Sequence, residues 1–317
     1  MKRCTLLTTI AVLSIFMTSL TARAELLAYE PFDYDYAGGN IILTNYGTTG
    51  NGFTNGWRNP TNLYENGYAA GGDIPRSYSA AAAALAKSGG FAELPAGGLV
   101  MRSFDISTSG PFADYLSGDG IIGKSGETLY VSFVFSFTNW VSGYDQSAIC
   151  CSKFVDLFND LPFWTGSPST GSFAIASREK DGANQWKAFT YNPVDSSGKY
   201  VWYKDITTNL DNDVHFFVFK IEFGQNQYGD KISIWYDPMP GFAETSADAT
   251  ADASAGSPKN CRFDRFAAFN KGASIGDMWV DEIRVGETWE DVTPTPSAPL
   301  PAGLLAYEPF DYDYAGG

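Results

Sequence analysis

Apolar and polar residues alternate along several segments of the chain, which is typical of β-strands with one face in a core. In the clearest segment, residues 129–138, every second residue is Leu, Val or Phe. Residues 216–223 alternate in the same way, and residues 232–236 follow after a glycine-containing turn, which predicts a β-hairpin. Further predicted strands are residues 99–106, 173–178, 186–191, 262–269 and 278–285.

Helical periodicity is absent from the pattern. Residues 80–86 are mostly alanine, but Gly89 and Gly90 follow closely, so we expect one short helical turn there. Many strands joined by glycine-rich connections predict an all-β fold, a two-sheet antiparallel sandwich.

The N-terminus has the pattern of a secretory signal peptide. Lys2 and Arg3 precede an apolar run over residues 6–20 and an Ala22-Arg23-Ala24 cleavage site. We therefore expect export to the cell surface or medium after removal of residues 1–24. The apolar run is too short for a comfortable membrane span, so we expect no membrane insertion.

A repeat defines the domain organisation. Residues 304–317 (LLAYEPFDYDYAGG) repeat residues 26–39 letter for letter, after a proline-rich stretch at residues 293–303. We expect one sandwich over residues 25–292, an extended linker over 293–303, and the truncated start of a second repeat, as in a tandem array with further copies of the module. Two alternatives are a donor strand that pairs with the sheet of another molecule, and a duplication artefact of the gene model.

Charge narrows the range of partners. The whole chain has a formal charge of −15, and loss of residues 1–24 leaves 18 basic and 36 acidic residues, a charge of −18. Such a chain lacks the basic patch that neutralises phosphates, so we expect no nucleic-acid partner. Its carboxylates remain available to hard cations such as calcium.

Three cysteines follow the signal peptide, namely Cys150, Cys151 and Cys261. Adjacent cysteines rarely bridge each other because the peptide between them would be strained. In an oxidising compartment we expect Cys261 to pair with Cys151 or with Cys150, which leaves one thiol over. A zinc site is the weaker interpretation, since the spacing fits no ligand pattern.

Aromatic side chains are the candidate ligand-binding groups. Modules that bind sugars stack pyranose rings on exposed aromatics flanked by polar groups. Alternation with core residues places Trp235 on the less buried face of its strand, while other tryptophans lie at strand ends or in loop-like sequence. The predicted sugar-binding residues are Trp140, Trp164, Trp186 and Trp235.

Several blocks, taken in order, carry a resemblance to a known family. They are LLAYEPFDY at the start, then HFFVFKIEFG, DKISIWYDPMPG and RFDRFAAFN, and finally MWVDEIRVGETWEDVTP. The chain resembles the concanavalin A-like lectin/glucanase superfamily, in particular the LamG-like modules of exported bacterial proteins. The resemblance is strongest over residues 214–294, and it implies a jelly-roll sandwich of two curved sheets with first and last strands side by side.

The resemblance also implies a structural calcium ion. In related jelly rolls an acidic residue of the closing strand joins carbonyl oxygens and an acidic residue near the first strand. Asp281 occupies the closing strand and shares its predicted core face with Trp279, Ile283 and Val285. We therefore expect Asp281 to bind calcium together with Glu30 or Asp33; the alternative is an Asp bonded to backbone or to a nearby arginine.

Catalytic signatures are absent from the sequence. Glycoside hydrolysis needs two carboxylates across the sugar, and glucanases of the superfamily present them on one strand in a pattern such as E-x-D-x-x-E. The acidic groupings at residues 33–35, 156–160 and 281–282 do not place two carboxylates on one strand face at that spacing. His215 is the only histidine, and we expect it to pack or cap a turn at a strand edge.

The sequence thus predicts an exported, non-catalytic module that binds a polysaccharide or cell-surface glycan, or mediates adhesion. Linking several such modules would turn weak affinity into avidity. The alternatives are a polysaccharide-degrading glucanase or lyase on the same scaffold and a structural spacer, because a fold alone does not assign function.

Overall fold

The computed structural model describes residues 25–35, 41–43, 51–58, 67–137, 147–152, 172–180, 183–191, 202–207, 211–226, 229–251, 261–270 and 276–296. The predicted signal peptide (1–24) and second copy (304–317) lie outside these residues. Within them the chain forms fifteen strands in two antiparallel sheets, two short α-helices and one 3₁₀ turn (Ala113–Tyr115). The all-β sandwich predicted from the alternating pattern is confirmed.

The larger sheet has nine strands. Its order is β13-β12-β11-β6-β15-β4-β3-β2, and β1 pairs with β15 beside this path. The strands are β1 (Leu26–Glu30), β2 (Ile41–Ile42), β3 (Tyr68–Gly71), β4 (Gly90–Leu94), β6 (Thr128–Phe137), β11 (His215–Asn226), β12 (Gly229–Tyr236), β13 (Ala249–Ala251) and β15 (Met278–Gly286).

The smaller sheet has six strands in the order β10-β9-β8-β7-β14-β5. They are β5 (Leu99–Ser103), β7 (Ser147–Ser152), β8 (Ser172–Lys180), β9 (Ala183–Tyr191), β10 (Trp202–Thr207) and β14 (Arg265–Asn270). Strand β14 pairs with both β5 and β7, and β5 is therefore one edge of this sheet in the described part.

The main core lies between the sheets and is built by the alternating phenylalanines. The ring of Phe133 lies 5.9 Å from the rings of Phe217 and Phe219 on the neighbouring strand, and 5.9 Å from Phe266 of the other sheet. Every second residue of β6 points into this core, as its sequence predicts.

A second apolar layer covers the outer face of the nine-stranded sheet. Trp235 and Trp279 pack there with Val134 and Val218, and the two helices, α1 (Ala80–Ala84) and α2 (Trp289–Val292), contribute further apolar side chains that include Trp289. Because both faces of this sheet are covered, the strands β6 and β15 are buried along nearly their whole length. The short helical turn expected near residue 80 is α1, and Ser79 caps it through a 3.1 Å bond from the Ala82 amide.

A bulge in β15 changes the predicted faces of the closing strand. Residues 278–280 pair with β4 and residues 283–286 pair with β1, and the register shifts between Asp281 and Arg284. Glu282 occupies the bulge with a positive φ of 55°. The expectation that Asp281 shares a core face with Ile283 and Val285 is therefore wrong: those two lie in the main core, whereas Trp279 belongs to the outer layer.

The last strand returns to the first, as the family resemblance implies. Leu26 pairs with Gly286 and Glu30 with Ile283. Beyond α2 the chain stays attached to the sandwich, because the Gly241 amide donates to the Thr293 carbonyl (3.1 Å) and the Ala86 amide to the Pro294 carbonyl (3.0 Å). No helix among the described residues is long and apolar enough to cross a membrane.

Candidate functional site

A segment between β3 and α1 builds one wall of a surface groove. Its Tyr78 hydroxyl accepts a 2.9 Å hydrogen bond from the Ile74 amide, which folds residues 74–78 into a compact turn. The segment is fixed to the start of β11, since the Val214 amide donates to Ser77 (2.7 Å) and the Ser79 amide donates to Val214 (2.9 Å). Ile74 is buried in the outer apolar layer and anchors the turn.

The groove has a volume of about 670 Å³ and is lined by residues 73–77 together with Asn212 and Asp213. We call it the polar groove. Ligand pockets of ~300–1,000 Å³ accommodate small molecules and oligosaccharide units. Its side chains offer two carboxylates, an amide, a hydroxyl and a guanidinium, all of which form hydrogen bonds of defined direction.

Arg76 lines this groove and also contacts the outer apolar layer. Its guanidinium lies 4.8 Å from the ring centroid of Trp279, a cation–π contact with the outer layer. Its Nε atom is buried, and none of the described residues offers it a hydrogen-bond partner. A buried donor without a partner costs about 1–3 kcal/mol, so an acceptor that reached this Nε would stabilise Arg76 in its position.

Lys87 lies on the side of the groove that Asp73 lines. Its Nζ is 3.8 Å from the Tyr78 ring centroid and 3.5 Å from an Asp73 carboxylate oxygen. Burial, together with the charge of Asp281, raises the pKa of Tyr78, which therefore keeps its proton at neutral pH. The ammonium group of Lys87 thus lies between the neutral Tyr78 ring and the Asp73 carboxylate.

His215 links the other wall of the groove to the end of β12. Its Nε2 lies 2.6 Å from Asp211 and its Nδ1 lies 2.7 Å from Asp237. Burial lowers the pKa of His215, but the hydrogen bonds and charges of Asp237 and Asp211 outweigh it and the net shift is upward. With both ring nitrogens engaged and the side chain 5% exposed, His215 clamps the segment before β11 to the residue that follows β12.

Glu30 holds a guanidinium at the place where calcium was predicted. It forms a buried ion pair with Arg102 of the other sheet, and it accepts bonds from the Phe32 amide (2.8 Å) and the Tyr34 hydroxyl (3.0 Å). Burial lowers the pKa of Arg102 to about 10, so this arginine stays cationic at neutral pH. The oxygens of Glu30 are thus already occupied.

The other two predicted calcium ligands lie in different surroundings. Asp33 is exposed on the surface, and Asp281 is buried beside Glu282, Arg284 and Lys87. Among the described residues no group of three or more His, Cys, Asp or Glu side chains is arranged to hold a metal ion. These three residues do not fit a shared calcium site, and calcium stays a sequence-based prediction.

A second ionic cluster surrounds the bulge of β15. Glu282 accepts from the Tyr29 hydroxyl (2.8 Å) and the Ser88 amide (2.6 Å), and it pairs with Arg284. The Arg284 guanidinium lies 4.7 Å from the Tyr29 ring centroid. This cluster ties β1, β15 and residue 88 together, and it is a structural element of the closing strand.

The predicted sugar-binding tryptophans do not form a shared platform in the described part of the chain. Trp235 is 2% exposed, and its Nε1 donates to the Thr245 carbonyl (3.0 Å), so the prediction of an exposed Trp235 is wrong. The loop after β12 and helix α2 cover it, which single-strand alternation does not reveal. Trp140 and Trp164 lie outside the described residues, and Trp186 is described only through its backbone pairing in β9.

The predicted disulfide between Cys261 and Cys151 is not formed in this structure. Cys261 is a buried free thiol, and it packs in the main core together with Cys151. Burial raises the pKa of the Cys261 thiol well above its ordinary value, and the Asp230 carboxylate adds to this. Both side chains occupy the core in the manner of small apolar residues.

The sequence pattern did not reveal the polar groove. Its two walls come from residues about 140 positions apart, and only the pairing of Tyr78 with Val214 brings them together. Asp73 and Asp213 stand in loop sequence with no periodic signal. The one available clue was the grouping of aspartates just before β11, at residues 211 and 213.

Comparison with known proteins gives structural similarities only. No protein-family model and no curated protein sequence matches the chain. An endo-1,3-β-glucanase from Streptomyces sioyaensis is 12% identical with a TM-score of 0.41, covering 84% of this chain and 96% of that one. A structure described with endo-acting O-glycanases of the human gut microbiota is 12% identical with a TM-score of 0.41, covering 83% and 99%.

A third similar structure is botulinum neurotoxin type C, described with two ganglioside molecules. It is 14% identical with a TM-score of 0.34, covering 78% of this chain and 47% of that one, so this chain spans less than half of the toxin chain. At such identities a similarity reports fold alone. The narrower LamG-like resemblance is not confirmed by these comparisons.

The prediction that this chain is not an enzyme is corrected at this point. Glycoside hydrolases are among the similar structures, so the absence of a catalytic signature from the sequence does not establish a non-catalytic chain. The sequence argument also required paired carboxylates within one strand. The fold instead brings Asp73 and Asp213 into one groove from distant parts of the chain.

Proposed function

We propose that this chain is an exported LamG-like β-sandwich module that binds an uncharged polysaccharide or cell-surface glycan in the polar groove. The observation that carries the proposal is Arg76, which lines a groove of carboxylate, amide and hydroxyl groups and whose buried Nε lacks a partner among the described residues. Sugar hydroxyls both donate and accept hydrogen bonds, so they match such a mixed set of side chains.

The negative charge of the chain favours an uncharged glycan as the ligand. Residues 25–317 carry a formal charge of −18, and Asp73 and Asp213 line the groove itself. An acidic polysaccharide would be repelled by this field, whereas a neutral sugar is not affected. Repetition of the module, proposed from residues 304–317, would raise the affinity for a repetitive polymer through avidity.

Hydrolysis is the second candidate, because Asp73 and Asp213 line the same groove from different parts of the chain. Glycosidases cleave with two carboxylates across the scissile bond, one as acid and one as base or nucleophile. Both candidate functions use the polar groove, but only hydrolysis releases reducing ends.

A glycan array probed with the chain from Glu25 onward tests the proposal. We expect retention of neutral glycans and none of sulfated or uronic ones. Asn212→Ala should reduce retention about tenfold or more, because a hydrogen bond in the groove is lost while the backbone bond from Ser136 remains (3.1 Å). Lys231→Gln, on the surface of β12 and outside the groove, serves as the matched control.

Reducing-end release, measured on the glycans that bind, separates the two candidates. If wild type releases reducing ends and Asp73→Asn or Asp213→Asn does not, the groove is hydrolytic. Absence of binding to every glycan, or equal binding by wild type and Asn212→Ala, would contradict the proposal.

A further inference from the structure

Two segments of this chain have one and the same sequence, and the structure describes what the first of them does. Residues 26–34 form β1 and the turn after it, where Leu27, Ala28, Glu30 and Phe32 are at most 3% exposed. We define the β1 seat as the surface that receives this segment: the C-terminal half of β15, the turn at residues 51–52, Trp57 and Arg102. We propose that the β1 seat is also a docking site for residues 304–312 of the same chain.

The contacts that recognise β1 come from residues outside the repeat. Glu282 accepts from the Tyr29 hydroxyl (2.8 Å), Arg102 pairs with Glu30, and the Trp57 Nε1 donates to the Tyr34 hydroxyl (3.0 Å). The second copy presents Tyr307, Glu308 and Tyr312 at the same spacings. Each of these hydrogen bonds and ion pairs is therefore reproduced when residues 304–312 occupy the seat.

The seat is selective for this sequence because it is tightly shaped. A Cβ on Gly52, whose φ is +80°, would come within 2.0 Å of the Leu27 carbonyl oxygen, and the Tyr29 amide donates to the Asn51 carbonyl (3.0 Å). Phe32 has a φ of 52° and its amide is bonded to the Glu30 carboxylate. A segment must supply both the strand and this turn, and residues 304–312 contain both.

The tether between the sandwich and the second copy is long enough. The Pro294 carbonyl is held by the Ala86 amide, two residues before Ser88, whose hydroxyl lies 2.9 Å from the Tyr29 hydroxyl. The tether therefore leaves the sandwich beside β1. The nine residues 295–303 span up to ~30 Å when extended, against ~17 Å for a five-residue strand. Tethering gives an effective concentration of order mM, which favours the same chain over a second one.

Paired substitutions in the full mature chain test this exchange. If either copy can occupy the seat, Glu30→Gln is rescued by residues 304–312, Glu308→Gln is silent, and only the double variant loses the ion pair with Arg102. We expect the double variant to melt several degrees below wild type, and Glu30→Gln to lose less than half as much. If Glu30→Gln lowers the melting temperature as much as the double variant does, the proposal is overturned.

A milder pair and a size measurement complete the test. Tyr29→Phe and Tyr307→Phe remove one hydroxyl each, so this series remains measurable if the glutamine double variant does not fold. We expect the same order of melting temperatures, and equal losses for Tyr29→Phe and the double phenylalanine variant would overturn the proposal. Sedimentation of Glu30→Gln should give a monomer; rescue that appears only in a concentration-dependent dimer would overturn the same-chain assignment.

Discussion

Arg102 crosses the sandwich to meet Glu30, and both side chains are nearly fully buried. Removing one partner of such a pair leaves an uncompensated charge in the core, which costs about 3–5 kcal/mol. We therefore expect Arg102→Met to lower the free energy of unfolding by that amount in chemical denaturation. Arg58→Met, at an exposed arginine that bonds Ser103 (3.0 Å), should change it by less than ~0.5 kcal/mol. Equal effects would show that the buried pair contributes nothing special.

Asp281 is buried beside Glu282, and burial first, then the Glu282 charge, raises the pKa of Asp281 well above its ordinary value. The folded protein therefore keeps the proton that the unfolded chain releases near pH ~4. Stability falls as pH rises from there through the folded pKa. The Asp281→Asn variant has no carboxyl group that titrates at this position. We therefore expect its free energy of unfolding to exceed that of wild type at pH 7, and this difference to disappear near pH 4. Urea titrations at both pH values check this, and a variant less stable at pH 7 would refute it.

At the scale of elements, β11 and β12 are joined by the His215 clamp. Its raised pKa means that the imidazolium between Asp211 and Asp237 stabilises the fold below the unfolded value of ~6.5, and that this contribution disappears as pH rises through the folded pKa. The Tyr236 hydroxyl also lies 2.8 Å from Nδ1. We expect His215→Gln to cost about 1–2 kcal/mol at pH 5.5 and less at pH 9. A cost that is independent of pH would contradict the clamp.

The strands that the sequence predicts best are those with one apolar face in the main core, such as β6 and β11. Period-two alternation reports that face directly. Strands β3 and β4 escaped prediction because YAAG and GFAEL are short and rich in small residues. The bulge at Glu282 could not be predicted either, since one inserted residue reverses the faces of everything after it and leaves no compositional trace.

The outer apolar layer and the polar groove depend on contacts between distant segments. The alternation within its own strand predicts that Trp235 is exposed. Trp235 is buried because a loop and a helix pack over it. Likewise, Asp73 and Asp213 become neighbours of one groove through the pairing of Tyr78 with Val214. Patterns within single segments therefore predicted the fold class. They could not predict the candidate site, because its residues come from distant segments.

At the scale of the whole molecule, the sandwich is closed by its own ends. The first strand pairs with the last, and residues 293–294 are bonded to the layer that also carries the groove. The same sandwich thus carries the acidic charge, the covered outer face and the polar groove.

Amide hydrogen exchange, with and without the neutral oligosaccharide that the array retains best, tests the central claim most directly. If the glycan occupies the polar groove, exchange should slow at residues 72–79 and 211–214, where the Arg76 and Val214 amides are bonded to the Ile74 and Ser77 carbonyls. Asn212→Ala should weaken this protection, and Lys231→Gln should leave it unchanged. Protection confined to the six-stranded sheet, with residues 72–79 unaffected by saturating glycan, would contradict the account.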